Sequence, residues 1–394
     1  MGNEIPSNPA PTTEPRGGLA IVLTGGGARA AYQVGLLRGI CSRWPDLDVS
    51  ILTGVSAGAI NVAYLASRQH DFQRSVDDLT KLWLSLTPEQ VFRVDAGSLL
   101  RRMLSVGVQF ASGGSRLAPR SRGMVDTSPL AELLHRELGA EADSPIPGIA
   151  ARLCAPDPLR SIAIGTIDWA TGRSYTWTQG TGTKGGATEG WRRSGREGRP
   201  CSLTVPHVLA SSALPLLFPA VQLDGSWHGD GGVRLVYPLA PAVHLGADRI
   251  LAISTRARPP GERSPDTSGY PPPAQVAGVL MNAIFLDQLD QDAQRLERIN
   301  HLLRRSDDPV GRLRHVDLTV IRPSEDLGRA AADYEFKLPR AFRFATRGLG
   351  TKETKSPDIL AMLMFQPDYV TRLMEIGERD AESNAQQIAR ILRR

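Results

Sequence analysis

The sequence predicts an α/β protein with a mainly parallel central sheet flanked by helices, followed by a mostly helical C-terminal extension. Three observations predict it. Residues 19–24, Leu-Ala-Ile-Val-Leu-Thr, form an unbroken apolar run suited to a strand buried on both faces. Such runs alternate with helical spacing, and each early strand passes into a glycine-rich turn before its helix.

The first strand ends at Gly25-Gly26-Gly27. Ala31, Val34, Leu37 and Ile40 then recur at helical spacing until Pro45 closes the segment. A second strand is expected over 49–53, and after Gly54–Gly58 a helix follows on Ala59, Val62, Ala63 and Ala66. Helical patterns return at 72–86 and 130–138, the latter with Ser128 as N-cap and Pro129 in its first turn. Strands are expected at 161–168 and 173–179, and 180–199, rich in Gly, Thr, Ser and Arg, reads as a long mobile loop. A helix over 205–213 and a buried strand over 249–255 complete this part. The prolines of 258–273 mark a linker; beyond it lie a polar helix over 276–305, a strand at 315–321 and helix-like segments. The division expected is therefore a flexible leader (1–17), a catalytic domain (18–257), a linker (258–273) and an extension (274–394).

Composition excludes several classes. With 41% hydrophobic and 22% charged residues, the 394-residue chain has the means to bury a core. Three widely spaced cysteines support neither a disulfide framework nor a cysteine zinc site, which fits a reducing, cytoplasmic compartment. The formal charge of +5 is small for this length and accompanies no nucleic-acid-binding motif. The start of the chain lacks the apolar core of a signal peptide, and no apolar run reaches the roughly 18 residues of a membrane span, so membrane contact is expected to be peripheral.

The chemistry centres on Gly54-Val55-Ser56-Ala57-Gly58. This is G-x-S-x-G between a strand and an Ala-rich helix, the setting in which a serine is held on a sharp turn. The pattern is common by chance; its context makes it informative. Gly25-Gly26-Gly27-Ala28-Arg29 presents backbone amides at a helix start, which suits a phosphate or a developing oxyanion. Ala30 stands where a dinucleotide-binding loop needs its third glycine, and no Lys-Ser/Thr pair makes a Walker loop. Of seven histidines none sits in a motif, whereas Asp230 is followed by Gly231 and Gly232.

Four blocks in order resemble the patatin-like phospholipase family: Gly25-Gly26-Gly27-Ala28-Arg29 with Tyr32-Gln33; Gly54 to Gly58; Ala210-Ser211-Ser212-Ala213-Leu214-Pro215 with Phe218-Pro219; and Asp230-Gly231-Gly232. The resemblance covers about residues 17–255. It implies a Ser–Asp dyad with no cofactor or metal, in which Ser56 attacks an ester carbonyl of a phospholipid or related lipid and Asp230 takes its proton. It further implies that the amides of Gly25, Gly26 and Gly27, with Arg29, hold the oxyanion, and that Ser211 and Pro215 border the substrate pocket. Two positions depart from the family pattern: Ala30 replaces a glycine, and Tyr237-Pro238 replaces Asn-Pro. Taken from the motif alone, the serine also fits an esterase triad using Asp230 with His244 or His315, or a phosphate- or lipid-binding regulator whose serine is idle. Basic and aromatic residues interleave over 334–348, and Arg192, Arg193, Arg196 and Arg199 cluster; both suit contact with anionic lipid.

Overall fold

The computed structural model describes residues 18–69, 71–93, 123–155, 159–182, 187–257, 288–305, 313–337 and 358–393, with isolated helical positions between 276 and 283. Strand β1 (Leu19–Leu23) is buried along its whole length, as its uninterrupted apolar sequence requires. It pairs in parallel with β2 (Ile51–Val55) on one side and β9 (Arg249–Ile253) on the other. Outside β9 lies β10 (Asp317–Ile321), also parallel; beyond β2 lies β3 (Ser161–Asp168), parallel again. The remaining neighbours are β4 (Ser174–Gly180), antiparallel to β3, then β6 (Arg196–Pro200) and β5 (Trp191–Arg193). The sheet is thus mostly parallel and flanked by helices, the class read from the sequence.

A short hairpin of β7 (Val221–Leu223) and β8 (Ser226–Asp230) joins the sheet at one point of consequence. Val55, the last residue of β2, pairs with Gly165 of β3. The next β3 residue, Thr166, pairs with Asp230, the last residue of β8. The other edge of β3 is filled by β4 through these positions, so β2 and β8 share one edge and meet nearly end to end.

Two apolar layers cover the sheet. On one face lie α1 (Ala31–Arg43), α2 (Ala57–Ser67), α3 (Phe72–Ser85), α4 (Pro88–Val91), α5 (Ser128–Leu138), α6 (Pro147–Leu153) and α7 (Val205–Ser211), within a large buried cluster that includes Leu23, Leu52 and Ile164. On the other lie α8 (Ala240–His244) and α9 (Gln288–Leu303), around Val22, Ile51 and Ala163. Local signals fix the helix ends. The Asp71 side chain accepts the Arg74 N–H at the start of α3, and Gly139 takes the left-handed conformation that ends α5.

Three local expectations change. The second strand starts at Ile51 and runs on to Val55, because Thr53, Gly54 and Val55 find partners in Ala163, Ile164 and Gly165. Residues 27–30 form a 3₁₀ turn before α1 begins. The arginine-rich part of the expected mobile loop is the β5–β6 hairpin: β6 extends the sheet from β4, and buried Glu197 gathers Arg173, Arg192 and Arg199.

Residues beyond 274 enter the same sheet and core. Besides β10 they supply α10 (Leu327–Ala332), α11 (Asp358–Leu363), α12 (Pro367–Ser383) and α13 (Ala385–Leu392). Helix α12 lies on α1 at backbone contact. A Cβ at Gly35 would come within 2.2 Å of the Met374 carbonyl oxygen, and one at Gly377 within 2.4 Å of that of Tyr32. Next to this crossing the Tyr32 hydroxyl donates to Asp380 Oδ2 at 3.0 Å, which also accepts the Ser324 N–H. Residues 258–275 and 338–357, which hold the expected linker and most of the basic-aromatic segment, lie outside the described residues. Within the described part, Phe336 is exposed and Lys337 is ion-paired with Asp368. Among the described residues no helix is long and apolar enough to cross a membrane.

The crossing yields a prediction. Gly35→Val and Gly377→Val each force α1 and α12 apart and lower the unfolding free energy by about 3 kcal/mol or more, read from the urea midpoint. A chain ending at residue 257 exposes the apolar face of α1 and yields no soluble folded protein.

Candidate active site

Ser56 caps the N-terminus of α2 directly after β2. Its φ of 57° and ψ of −133° are strained for a residue with a side chain. The surrounding glycines make that turn possible. A Cβ at Gly54 would sit 2.4 Å from the Gly58 carbonyl oxygen, and one at Gly58 would sit 2.4 Å from that of Leu23. The turn is therefore folded onto the end of β1, and either side chain would pry it loose.

The glycine loop lies beside the serine. A Cβ on Gly25 would approach Ser56 Cβ to 2.8 Å, so only glycine lets the two backbones come this close. Gly26 and Gly27 have positive φ, and a Cβ on Gly27 would collide with the Met362 carbonyl. Thr255, just past β9, donates its hydroxyl to the Gly25 carbonyl at 2.5 Å. Beneath the loop runs a buried polar chain. Trp83 donates to Asn61, Asn61 to Gln33, and Gln33 to the Thr24 carbonyl just before Gly25. Gln33, the partner of Tyr32 in the sequence motif, thus ties α1 to the start of the loop. Among the described residues no hydrogen bond occupies the Gly25 or Gly26 N–H. Arg29 is buried in the turn that follows.

Asp230 arrives from β8. Its side chain is fully buried, and Oδ1 accepts the Gly232 N–H at 2.8 Å. Burial pushes its carboxyl up to about 7, against smaller opposing effects from the Ser56 side chain and the Gly232 amide. Oδ2 is buried with no made hydrogen bond among the described residues. Gly231 is required because a Cβ there would strike the Gly165 carbonyl at 2.3 Å.

Ser211 and Pro215 occupy different places from a pocket border. The Ser211 hydroxyl sits underneath the turn, accepting from the Ser56 N–H at 3.0 Å and donating to the Gly165 carbonyl at 2.6 Å. Pro215 is half-buried in the turn after α7, off the cleft wall. The cleft opening on Ser56 has Leu82, Leu130, Leu134, Leu214 and Phe218 among its walls. Met362 and Phe365 close it from the C-terminal segment. No motif marks those two residues; their role emerges only where α11 packs on the Gly27 turn.

The two histidines weighed for a triad, and two buried near the site, are engaged elsewhere. His244 stacks on Trp191, with ring centroids 4.6 Å apart. His315 lies before the amino end of β10, at the opposite end of the parallel strands from Ser56, and faces Asp317. His228 bonds Thr166, and His207, whose imidazole burial pushes down to about 4, bonds Thr204. Among the described residues no histidine hydrogen-bonds Ser56 or Asp230.

A serine on a strained strand-to-helix turn thus stands beside a glycine loop and a buried carboxyl, above an apolar cleft. The chain belongs to the patatin-like phospholipase family, whose model matches residues 21–243. Among solved structures, human GIVD cytosolic phospholipase A2, in complex with methyl gamma-linolenyl fluorophosphonate and terbium chloride, is similar at 13% identity and a TM-score of 0.45. That match covers 95% of this chain and 59% of the human one, so this chain spans well under two thirds of that protein. VipD from Legionella pneumophila is similar at 13% identity and a TM-score of 0.33, over 92% of this chain and 67% of that one. ExoU of Pseudomonas aeruginosa, solved with SpcU, is similar at 15% identity and a TM-score of 0.26, over 88% and 70%. No curated protein matches the chain.

The Ser211 contact generates a prediction. Ser211→Ala leaves the Ser56 N–H without its acceptor, at a cost of about 1–3 kcal/mol. The turn loosens, and kcat falls by about tenfold to a hundredfold while KM for a lipid ester stays close to wild type.

Proposed function

We propose that the protein hydrolyses fatty-acyl ester bonds of phospholipids or lysophospholipids with a Ser56–Asp230 dyad. The observation that carries this reading is the fully buried carboxyl of Asp230 brought to the strained Ser56 turn by the shared edge of β3. A carboxylate is a poor base for an alcohol in water; burial that lifts its proton affinity to about 7 narrows the mismatch.

The reaction runs in two halves. Ser56 Oγ bonds to the ester carbonyl carbon as its proton passes to Asp230, and the carbonyl oxygen becomes an anion held by the amides of the Gly25–Gly27 loop, with the buried Arg29 charge in support. The intermediate collapses: the carbon–oxygen bond to the alcohol breaks, the alcohol leaves with the proton from Asp230, and the acyl group stays on Ser56. Water then attacks the acyl carbon, giving its proton to Asp230, and Ser56 Oγ recovers that proton as the fatty acid departs. The apolar walls around Leu130, Leu134 and Phe218 take the acyl chain, and the lipid is reached by peripheral contact with its bilayer.

Ser56→Ala and Asp230→Asn each lower fatty-acid release by about a thousandfold or more, and a fluorophosphonate probe labels the wild type but not Ser56→Ala. An active or labelled Ser56→Ala protein refutes the assignment. Because Asp230 must be ionised to act as base, kcat/KM rises with pH through a midpoint near 7. The same shift makes Asp230 oppose folding at high pH. Its folded carboxyl holds a proton that the unfolded chain, near 3.8, releases, so stability is lost as pH rises through 7. Asp230→Asn is accordingly more stable than wild type at pH 8, by a few kcal/mol to order of magnitude, and the gain shrinks toward pH 4.

A further inference from the structure

A second cleft opens on the opposite face of the sheet from the serine. Its walls include Trp191, Arg196, Arg234, Tyr237, His244 and Gly231. Cations dominate it. Arg196 and Arg295 both lie over the Tyr237 ring, at 4.0 and 4.7 Å from its centroid. Arg234 reaches across to the Gly172 carbonyl at 2.5 Å. Arg193 and Arg196 both bear on His244, whose imidazole is held below its usual range by burial first and by these two charges next. Neutralising groups are scarce. Glu197 is committed to Arg173, Arg192 and Arg199, and among the described residues none of Arg193, Arg196, Arg234 and Arg295 is ion-paired. Among the described residues a second acid near them is Asp292, which accepts the Leu239 N–H at 2.9 Å and whose carboxyl burial pushes up to about 6.

We propose that this cleft is a binding site for a phosphate-bearing ligand, held by Arg196 and Arg234 and bordered by His244 and the Tyr237 ring. Guanidinium groups match the geometry of a phosphate, and before a ligand arrives the Tyr237 ring fixes the direction of Arg196 and the Gly172 carbonyl that of Arg234. A dianion supplies the charge that this group of cations lacks. The departure of Tyr237 from the family's asparagine gains a purpose, since its ring is the platform on which Arg196 and Arg295 rest. Gly231, the residue after Asp230, also lines the cleft, so a ligand there lies near the segment that carries the carboxyl. The inference does not rest on Ser56 acting as nucleophile.

The full chain carrying Ser56→Ala, in which turnover is removed, allows a direct test. Two probes are titrated: inorganic phosphate, and phosphatidylcholine vesicles with and without phosphatidic acid. Binding is followed by calorimetry and by the His244 ring resonances in NMR. Saturable binding that raises the His244 titration midpoint is expected, weakened at least about tenfold by Arg196→Gln with Arg234→Gln. Binding only to the phosphatidic acid vesicles identifies a lipid headgroup as the source; binding of the free ion identifies a soluble phosphate. The proposal is overturned if neither probe moves His244, or if the double variant binds as tightly as its parent.

Discussion

The site depends on one constraint of strand pairing. The edge of β3 is divided between two strands from distant parts of the sequence, with Val55 of β2 opposite Gly165 and Asp230 of β8 opposite Thr166. Hydrogen-bonded strands keep a fixed spacing along their partner, so the residue after Val55 and the residue at the end of β8 are forced together. A slip of one residue would turn Asp230 to the other face of the sheet. Gly165 lies at the junction, where its carbonyl takes the Ser211 hydroxyl and leaves no room for a side chain on Gly231. Ser211 in turn holds the Ser56 amide, so strand register and serine geometry are coupled through two hydrogen bonds.

The C-terminal segment has a part in this arrangement that its sequence conceals. Helix α12 meets α1 through glycines, α11 covers the Gly27 turn, and Met362 and Phe365 complete the cleft wall. Strand β10 widens the sheet beyond β9. The glycine loop is consequently clamped from two sides, by Thr255 after β9 and by Met362, with Gln33 holding its approach from β1.

Much of the fold was legible because its signals are local. The apolar runs at β1, β3 and β9 and the leucine spacing of α5 need no tertiary knowledge. The glycines of the site were legible too, since each marks a backbone contact that permits no side chain. What stayed hidden depends on long-range pairing. The sequence 180–199 has loop composition, yet its arginines become a hairpin once Glu197 is buried among them. Ser211 reads as a pocket residue until the turn above it is seen to need an acceptor. Nothing in Met362 or Phe365 announces a cleft. Helix α12 has ordinary amphipathic spacing, and the partner for Gly377 lies more than 300 residues away.

The central claim is that the strand junction buries one carboxyl against the Ser56 hydroxyl and thereby shifts its acidity. A carbon-13 NMR titration of the Asp230 carboxyl, in wild type and in Ser56→Ala, tests it most directly. A midpoint near 7 is predicted for the wild type, with a further rise in Ser56→Ala because the serine side chain pulls the value down. A midpoint near 4 that ignores the serine substitution would contradict the account.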